Sequence, residues 1–356
     1  MTPEAASRGK SNTLIDQSSV RSRRCNQRSP IAPLDPPRWL RNRHLQTVLA
    51  GVTPAVSLPS QRAEWLELPD GDRLRLVWAP AAQQVDCIGI AQRPLVLLIH
   101  GLGGTARSRY LCGAALAAHA IGIDAVMLEC RGASDEPNRL ARAYHAAAWD
   151  DLETVVMALR ARYPLRPLFA VGYSLGASIL LNWLALRSVD ALAGAVAVSV
   201  PFELDACVRQ LDRWPGTVYQ QTLLRRIRKQ AITRFRHRDD APLPIDAIAR
   251  LRSIRDFDEA LTAPLHGFSS AADYYHRASC RPRLAAIQCP TDIIHALDDP
   301  LIPPSSVPSG SELAPAVRLL AQRCGGHVGF FEAVRPPGHH WLDRAVAACL
   351  QQRLSA

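Results

Sequence analysis

The chain has 356 residues, of which 48% are hydrophobic and 21% charged, with a mean hydropathy of −0.04. Those values exclude a disordered, collagen-like or disulfide-scaffold protein, and no apolar run approaches the ~18 residues of a membrane span. The formal charge is +10, almost wholly from arginine, and it concentrates in residues 1–50 (nine Lys/Arg against three acids) and 221–240 (seven Lys/Arg against two aspartates).

Residues 1–30 are polar, lack a hydrophobic period and carry no signal-like apolar stretch, so they read as a disordered basic tail. Order is expected from Ile31. WLEL and RLRLVW flank Pro69-Asp70-Gly71-Asp72 and predict a β-hairpin. PLVLLIHG (94–101) is a short continuous apolar run, the pattern of a strand covered on both faces. An alanine-rich helix follows Gly104 and extends to about His119. A second buried strand is expected over 123–132. Trp149 opens an amphipathic helix with Leu152, Val155, Val156 and Leu159 on one stripe. Further strands are predicted at 167–174, 193–200 and 290–297. Strands alternating with helices mean βαβ units, hence an α/β protein with a mostly parallel, doubly wound sheet and helices on both faces.

That alternation stops between residues 202 and 283, which are Arg-rich and without a strong strand. They read as a mainly helical lid insertion dividing the core into 31–201 and 284–356. The basic run from Arg225 to Arg238 is expected to be a solvated helix face, with an anionic membrane surface as a transient partner and nucleic acid as the less favoured one. Nine cysteines form no CxxC pair and no zinc spacing, which fits reduced, buried thiols in a cytoplasmic protein.

Gly172-Tyr173-Ser174-Leu175-Gly176 fits G-x-S-x-G between the apolar strand PLFAV and the helix former ASILLNWLAL, so Ser174 is the candidate nucleophile. A serine needs a base, and the base needs an orienting acid, which in this type of sheet follow in the order Ser, acid, His. Asp298-Asp299-Pro300 lies just past the strand TDIIHAL. Asp299 is the preferred acid, with Asp298 the alternative. Among eleven histidines, His327 in Cys324-Gly325-Gly326-His327 lies downstream on a glycine loop and is the candidate base. His339 and His340 fall too far around the surface, and His295 reads as core. Two backbone donors should hold the developing oxyanion: the N–H of Leu175, and that of Leu102 (alternatively Gly103) in His100-Gly101-Leu102-Gly103-Gly104. His100 is then a residue that braces the loop.

Taken with Asn42-Arg43-His44-Leu45-Gln46-Thr47, RGASDEPNRLARAYHAAAWDD (131–151), GYSLGA (172–177), FDEALTAPLHGFSSAADYYHRAS (257–279), the DDP turn and GGHVGFFE (325–332), the chain resembles the YheT-like branch of the α/β-hydrolases over about residues 33–342. The resemblance implies a Ser174/Asp299/His327 triad, esterase-like activity on a small-molecule ester, no cofactor, and substrates that in eukaryotic relatives are often lipid esters. The basic tail and the Arg-rich part of the insertion depart from that pattern. An acyltransferase or thioesterase on the same triad is the first competing expectation. A binding protein for anionic surfaces or nucleic acid, with a vestigial triad, is the second.

Overall fold

The structure, a computed structural model, describes residues 31–54, 58, 61–81, 92–187, 190–333, 335–336 and 338–355. The tail expected over residues 1–30 lies outside them. The described strands form one eight-stranded sheet in the order β1-β2-β4-β3-β5-β6-β7-β8. The hairpin predicted around Asp70 is present as β1 (Arg62–Glu67) and β2 (Arg73–Ala79), antiparallel to each other and, through β2, to β4. From β3 onward the sheet is parallel: β3 (Leu95–Ile99), β4 (Asp124–Glu129), β5 (Leu168–Tyr173), β6 (Gly194–Val198), β7 (Thr291–Ala296) and β8 (Val317–Gln322).

Period-two alternation divides the central strands between two cores. Leu95, Leu97 and Ile99 face the layer formed by α3 (Trp149–Arg162) and α4 (Leu175–Leu186). Val96 and Leu98 face α2 (Arg109–Ala120) and α11 (Trp341–Leu354). Because both faces are covered, β3, β5 and β6 read as largely apolar runs, and β4 and β7 as apolar centres between polar ends. Each fully buried Leu or Val contributes about 1.5–3 kcal/mol relative to exposure.

Three elements were not anticipated, the C-terminal helix α11 among them. β8 is an edge strand whose side chains are mostly half-exposed, so VRLLAQ carries no run long enough to mark it. Helix α1 (Arg43–Val52) is set by Asn42, whose side chain accepts from the His44 and Leu45 N–H groups as an N-cap.

Between β6 and β7 run α5 (Leu204–Leu211), α6 (Gly216–Phe235), α7 (Ile245–Arg250), α8 (Ile254–Phe257), α9 (Ala263–Leu265) and α10 (Ala271–Ala278). Leu224, Ile227, Ala231 and Phe235 of α6 pack with Ile248, Phe257 and Leu261 in a small core of their own. Among the described residues, no helix is long and apolar enough to cross a membrane. The seven described cysteines are all free.

Arg131, 2% exposed, anchors the hairpin turn to α3 by pairing with Asp70, Asp72 and Asp151. Burial disfavours its charge, but the Asp151 and Asp70 carboxylates more than offset that and hold its pKa above the usual arginine range.

Several histidines are kept neutral by the fold. Burial pulls His100, His266 and His340 down to about 4 and His145 well below its ordinary value. Each therefore contributes stability in full above pH 6.5, and that stability is lost as the pH falls toward 4. Burial pushes the Asp258 and Asp343 carboxyls up to about 6, which works in the opposite sense over the same window. His44, His119 and His295, also lowered, join the first set, and Asp151 and Asp298, also raised, join the second. With seven groups against four, unfolding takes up protons and stability falls on acidification. The urea midpoint should be clearly lower at pH 5 than at pH 7. An unchanged or higher midpoint at pH 5 would contradict this accounting.

Candidate active site

Ser174 stands at the β5–α4 junction with φ 51° and ψ −120°, outside the regions a serine ordinarily adopts. The two flanking glycines are there for space. A β-carbon on Gly172 would lie 2.6 Å from the Gly176 carbonyl oxygen, and one on Gly176 would lie 2.5 Å from that of His100. Strand, turn and helix can close this tightly only without those side chains, which explains the G-x-S-x-G spacing.

The three side chains expected from chain order are brought together. His327 Nε2 is 3.0 Å from Ser174 Oγ, and His327 Nδ1 is 2.8 Å from Asp299 Oδ2. The other oxygen of Asp299 accepts from the Leu301 N–H at 2.9 Å, and the carboxylate is fully buried. Asp298 turns elsewhere: its Oδ1 accepts from the Gly326 N–H at 3.0 Å and thereby braces the loop that carries His327. Adjacent aspartates thus take different places, one against the imidazole and one against its loop.

The loop after β3 is similarly sorted. Gly103 N–H donates to the Tyr144 hydroxyl at 2.7 Å, and Gly104 N–H to the Gly101 carbonyl at 3.0 Å. Neither the Leu102 nor the Leu175 N–H has a partner among the described residues. His100 is fully buried, and its Nε2 accepts from the Cys130 N–H at 3.1 Å. Its proton therefore sits on Nδ1, which donates to the Gly101 carbonyl at 2.8 Å, so this ring shapes the loop. His295 is buried in β7 with neither ring nitrogen partnered, its ring edge against Phe202. His340 packs against Phe331, away from Ser174.

Several supporting residues were not singled out from the sequence. Thr47 Oγ1 accepts from the His327 N–H at 3.0 Å, and Ser199 Oγ from the Val328 N–H at 3.1 Å. Gln46 is fully buried: its amide nitrogen donates to the Leu40 and Phe331 carbonyls, and its oxygen accepts from the Phe331 N–H. The motif containing Gln46 and Thr47 thus pins the His327 loop onto α1. Gln46→Ala leaves three buried backbone groups unpaired and should cost about 2–4 kcal/mol of stability by denaturant unfolding. A variant as stable as the parent would remove Gln46 from this role.

Above Ser174 lies a cavity of about 470 Å³ lined by Leu102, Leu175, Leu204, Val208, Leu211 and other apolar side chains, with contributions from α1, α5 and α6. Val48, Val52 and Val218 both line it and are 47%, 67% and 51% exposed, so they mark its mouth.

A serine in a strained strand–helix turn, with acid and base on loops after later strands of one parallel sheet, is the arrangement of an α/β-hydrolase. Residues 94–334 match the sequence model of the alpha/beta hydrolase fold. The chain is 34% identical to the Escherichia coli protein named "Putative esterase YheT", over 93% of this chain and 96% of that one. It belongs to the α/β-hydrolases, in their YheT-like branch. It is also 28% identical to the human phospholipase ABHD3, over 89% of this chain and 78% of that one. Among solved structures, the Pyrococcus furiosus esterase Pf2001 shares the fold with a TM-score of 0.53 at 15% identity, covering 82% of this chain and 92% of that one.

Proposed function

We propose that the protein hydrolyses carboxylic esters through an acyl-enzyme on Ser174. His327 Nε2 takes the Oγ proton as Oγ attacks the ester carbonyl, and the Asp299 carboxylate orients the ring and stabilises the imidazolium. The Leu102 and Leu175 N–H groups hold the oxyanion. The imidazolium then returns its proton to the departing alkoxide. Water, deprotonated by His327, releases the acid and restores Ser174.

The single observation that carries this reading is the continuous hydrogen-bond chain from Asp299 through His327 to Ser174 at the floor of a cavity. Apolar walls and the valine-rimmed mouth suit an acyl chain, and the phospholipase name borne by the human relative agrees with a lipid ester. In this reading residues 202–283 form a lid over Ser174. The exposed Arg225 and Lys229 of α6, which also carries Val218 of the mouth, and Arg236 at its end fit a transient contact with an anionic lipid surface.

The test is hydrolysis of para-nitrophenyl esters from acetate to palmitate, together with monoacylglycerols. Turnover that rises from acetate to medium or long acyl chains is expected. No turnover above the enzyme-free rate on any ester would refute the proposal.

A further inference from the structure

The basic run on and just after helix α6 is largely solvated, as the sequence predicts, but one of its arginines is not. Arg225, Arg226, Lys229 and Arg236 are exposed. Arg228 donates to the Ala249 and Leu251 carbonyls, and Arg238 pairs with Asp240 while donating to the Asn138 and Arg139 carbonyls. Arg226, exposed though it is, Gln230 and the buried Arg234, spaced i, i+4 and i+8, also line the cavity that contains Ser174.

Four arginines among the described residues are buried. Arg131 pairs with three aspartates, Arg166 with Asp124, and Arg109 donates to the Val328 carbonyl. Arg234, 5% exposed, has no oxygen partner at all among the described residues. Its Nε is sealed without an acceptor, and its guanidinium lies 4.8 Å from the Phe235 ring. Asp72, an acid that acts on it electrostatically, is already bonded to Arg131, Asn138 and the Arg139 N–H. Burial pulls the Arg234 pKa down to about 10, so it remains a cation at neutral pH.

A buried cation without a counter-charge is costly, and proteins seldom leave one unless something else supplies the anion. The loop opposite also makes room for it. A β-carbon on Gly132 would stand 2.5 Å from Arg234 Nη1, so glycine there lets the guanidinium reach the cavity wall. Arg226, which is exposed, lies further along the same wall, its own β-carbon 2.8 Å from where one on Gly103 would be.

We propose that Arg234, assisted by Arg226, binds an anionic oxyacid group, phosphate or carboxylate, carried by the ester substrate, so that the enzyme selects anionic esters over neutral ones. The planar guanidinium offers two parallel N–H donors that match either group. This rests on the esterase reading of the same cavity.

The test compares matched pairs: monooleoylglycerol with oleoyl lysophosphatidic acid, and para-nitrophenyl hexanoate with the mono-para-nitrophenyl ester of adipic acid. In the parent enzyme, kcat/KM for the anionic member of at least one pair should exceed that of the neutral member tenfold or more; the pair that responds distinguishes phosphate from carboxylate. Arg234→Gln should lower that ratio at least tenfold, chiefly through KM, and Arg234→Lys should retain an intermediate ratio. Arg250→Gln, exposed on α7, should leave the ratio unchanged. Without ligand, Arg234→Gln should melt at or above the parent temperature, because it removes an uncompensated buried charge. Equal loss on both members of each pair with a lowered melting temperature would make Arg234 a structural residue and overturn the proposal, as would an unchanged ratio. Calorimetry with decyl phosphate separates the two readings. Binding to the parent and at least tenfold weaker binding to Arg234→Gln, with no ester hydrolysed, would preserve the anion site and refute the esterase. Neutral-ester hydrolysis without decyl phosphate binding would do the reverse.

Discussion

Ser174→Ala should reduce ester hydrolysis by about 10⁶-fold while leaving the circular dichroism spectrum and melting transition near those of the parent. The size follows from what the side chain does: without Oγ there is no acyl-enzyme, and what remains is binding and the two backbone donors acting on water. Such donors are worth about 2.7–4 kcal/mol each, so a small residual rate over the uncatalysed reaction should persist. The fold should tolerate the change because Oγ makes its one hydrogen bond to His327 and fills no part of the core. The strain at φ 51° is a property of the turn and remains in the alanine variant. A variant that keeps even a hundredth of the parent rate would point to a different nucleophile.

Asp299→Asn should cost far more than Asp298→Asn, by about 10⁴-fold in kcat on the serine-protease precedent. Asp299 Oδ2 meets His327 Nδ1 at 2.8 Å in full burial, so an amide there either presents an N–H to an N–H or holds the ring in the wrong tautomer. Asp298 reaches the site only through the Gly326 N–H, and its amide retains an oxygen that can accept that bond. The expected loss at Asp298 is therefore within about tenfold. Steady-state rates on one soluble ester decide the matter. If Asp298→Asn proves the more damaging, the acid has been assigned to the wrong neighbour.

The contrast between these aspartates shows where sequence reasoning reached its end. Chain order and the position after β7 put an acid in this turn, but neighbouring carboxylates have the same chemistry and nearly the same place. Only the backbone path decides which one points at the imidazole. Leu102 and Gly103 posed the same problem, and the Tyr144 hydroxyl, 41 residues away, distinguishes them by engaging the Gly103 N–H. The buried strands were legible because covering both faces leaves a continuous apolar signature. β8 was not, since a half-exposed edge does not demand one. Gln46 was legible only as part of a motif, because a buried amide paired entirely with distant backbone leaves no local pattern. The basic run on α6 was legible in part. Its composition reads as a solvated face, which holds for Arg225, Arg226, Lys229 and Arg236, whereas the burial of Arg234 on the cavity wall leaves no mark in composition.

The central claim is that Ser174 is a nucleophile activated by His327, and covalent trapping tests it most directly. The parent protein, treated with a fluorophosphonate probe and digested, should yield one modified peptide by mass spectrometry, with the adduct on Ser174. Labelling should be nearly complete in the parent and strongly slowed in His327→Ala. A protein that remains unmodified, or that carries the adduct on another residue, would contradict the account.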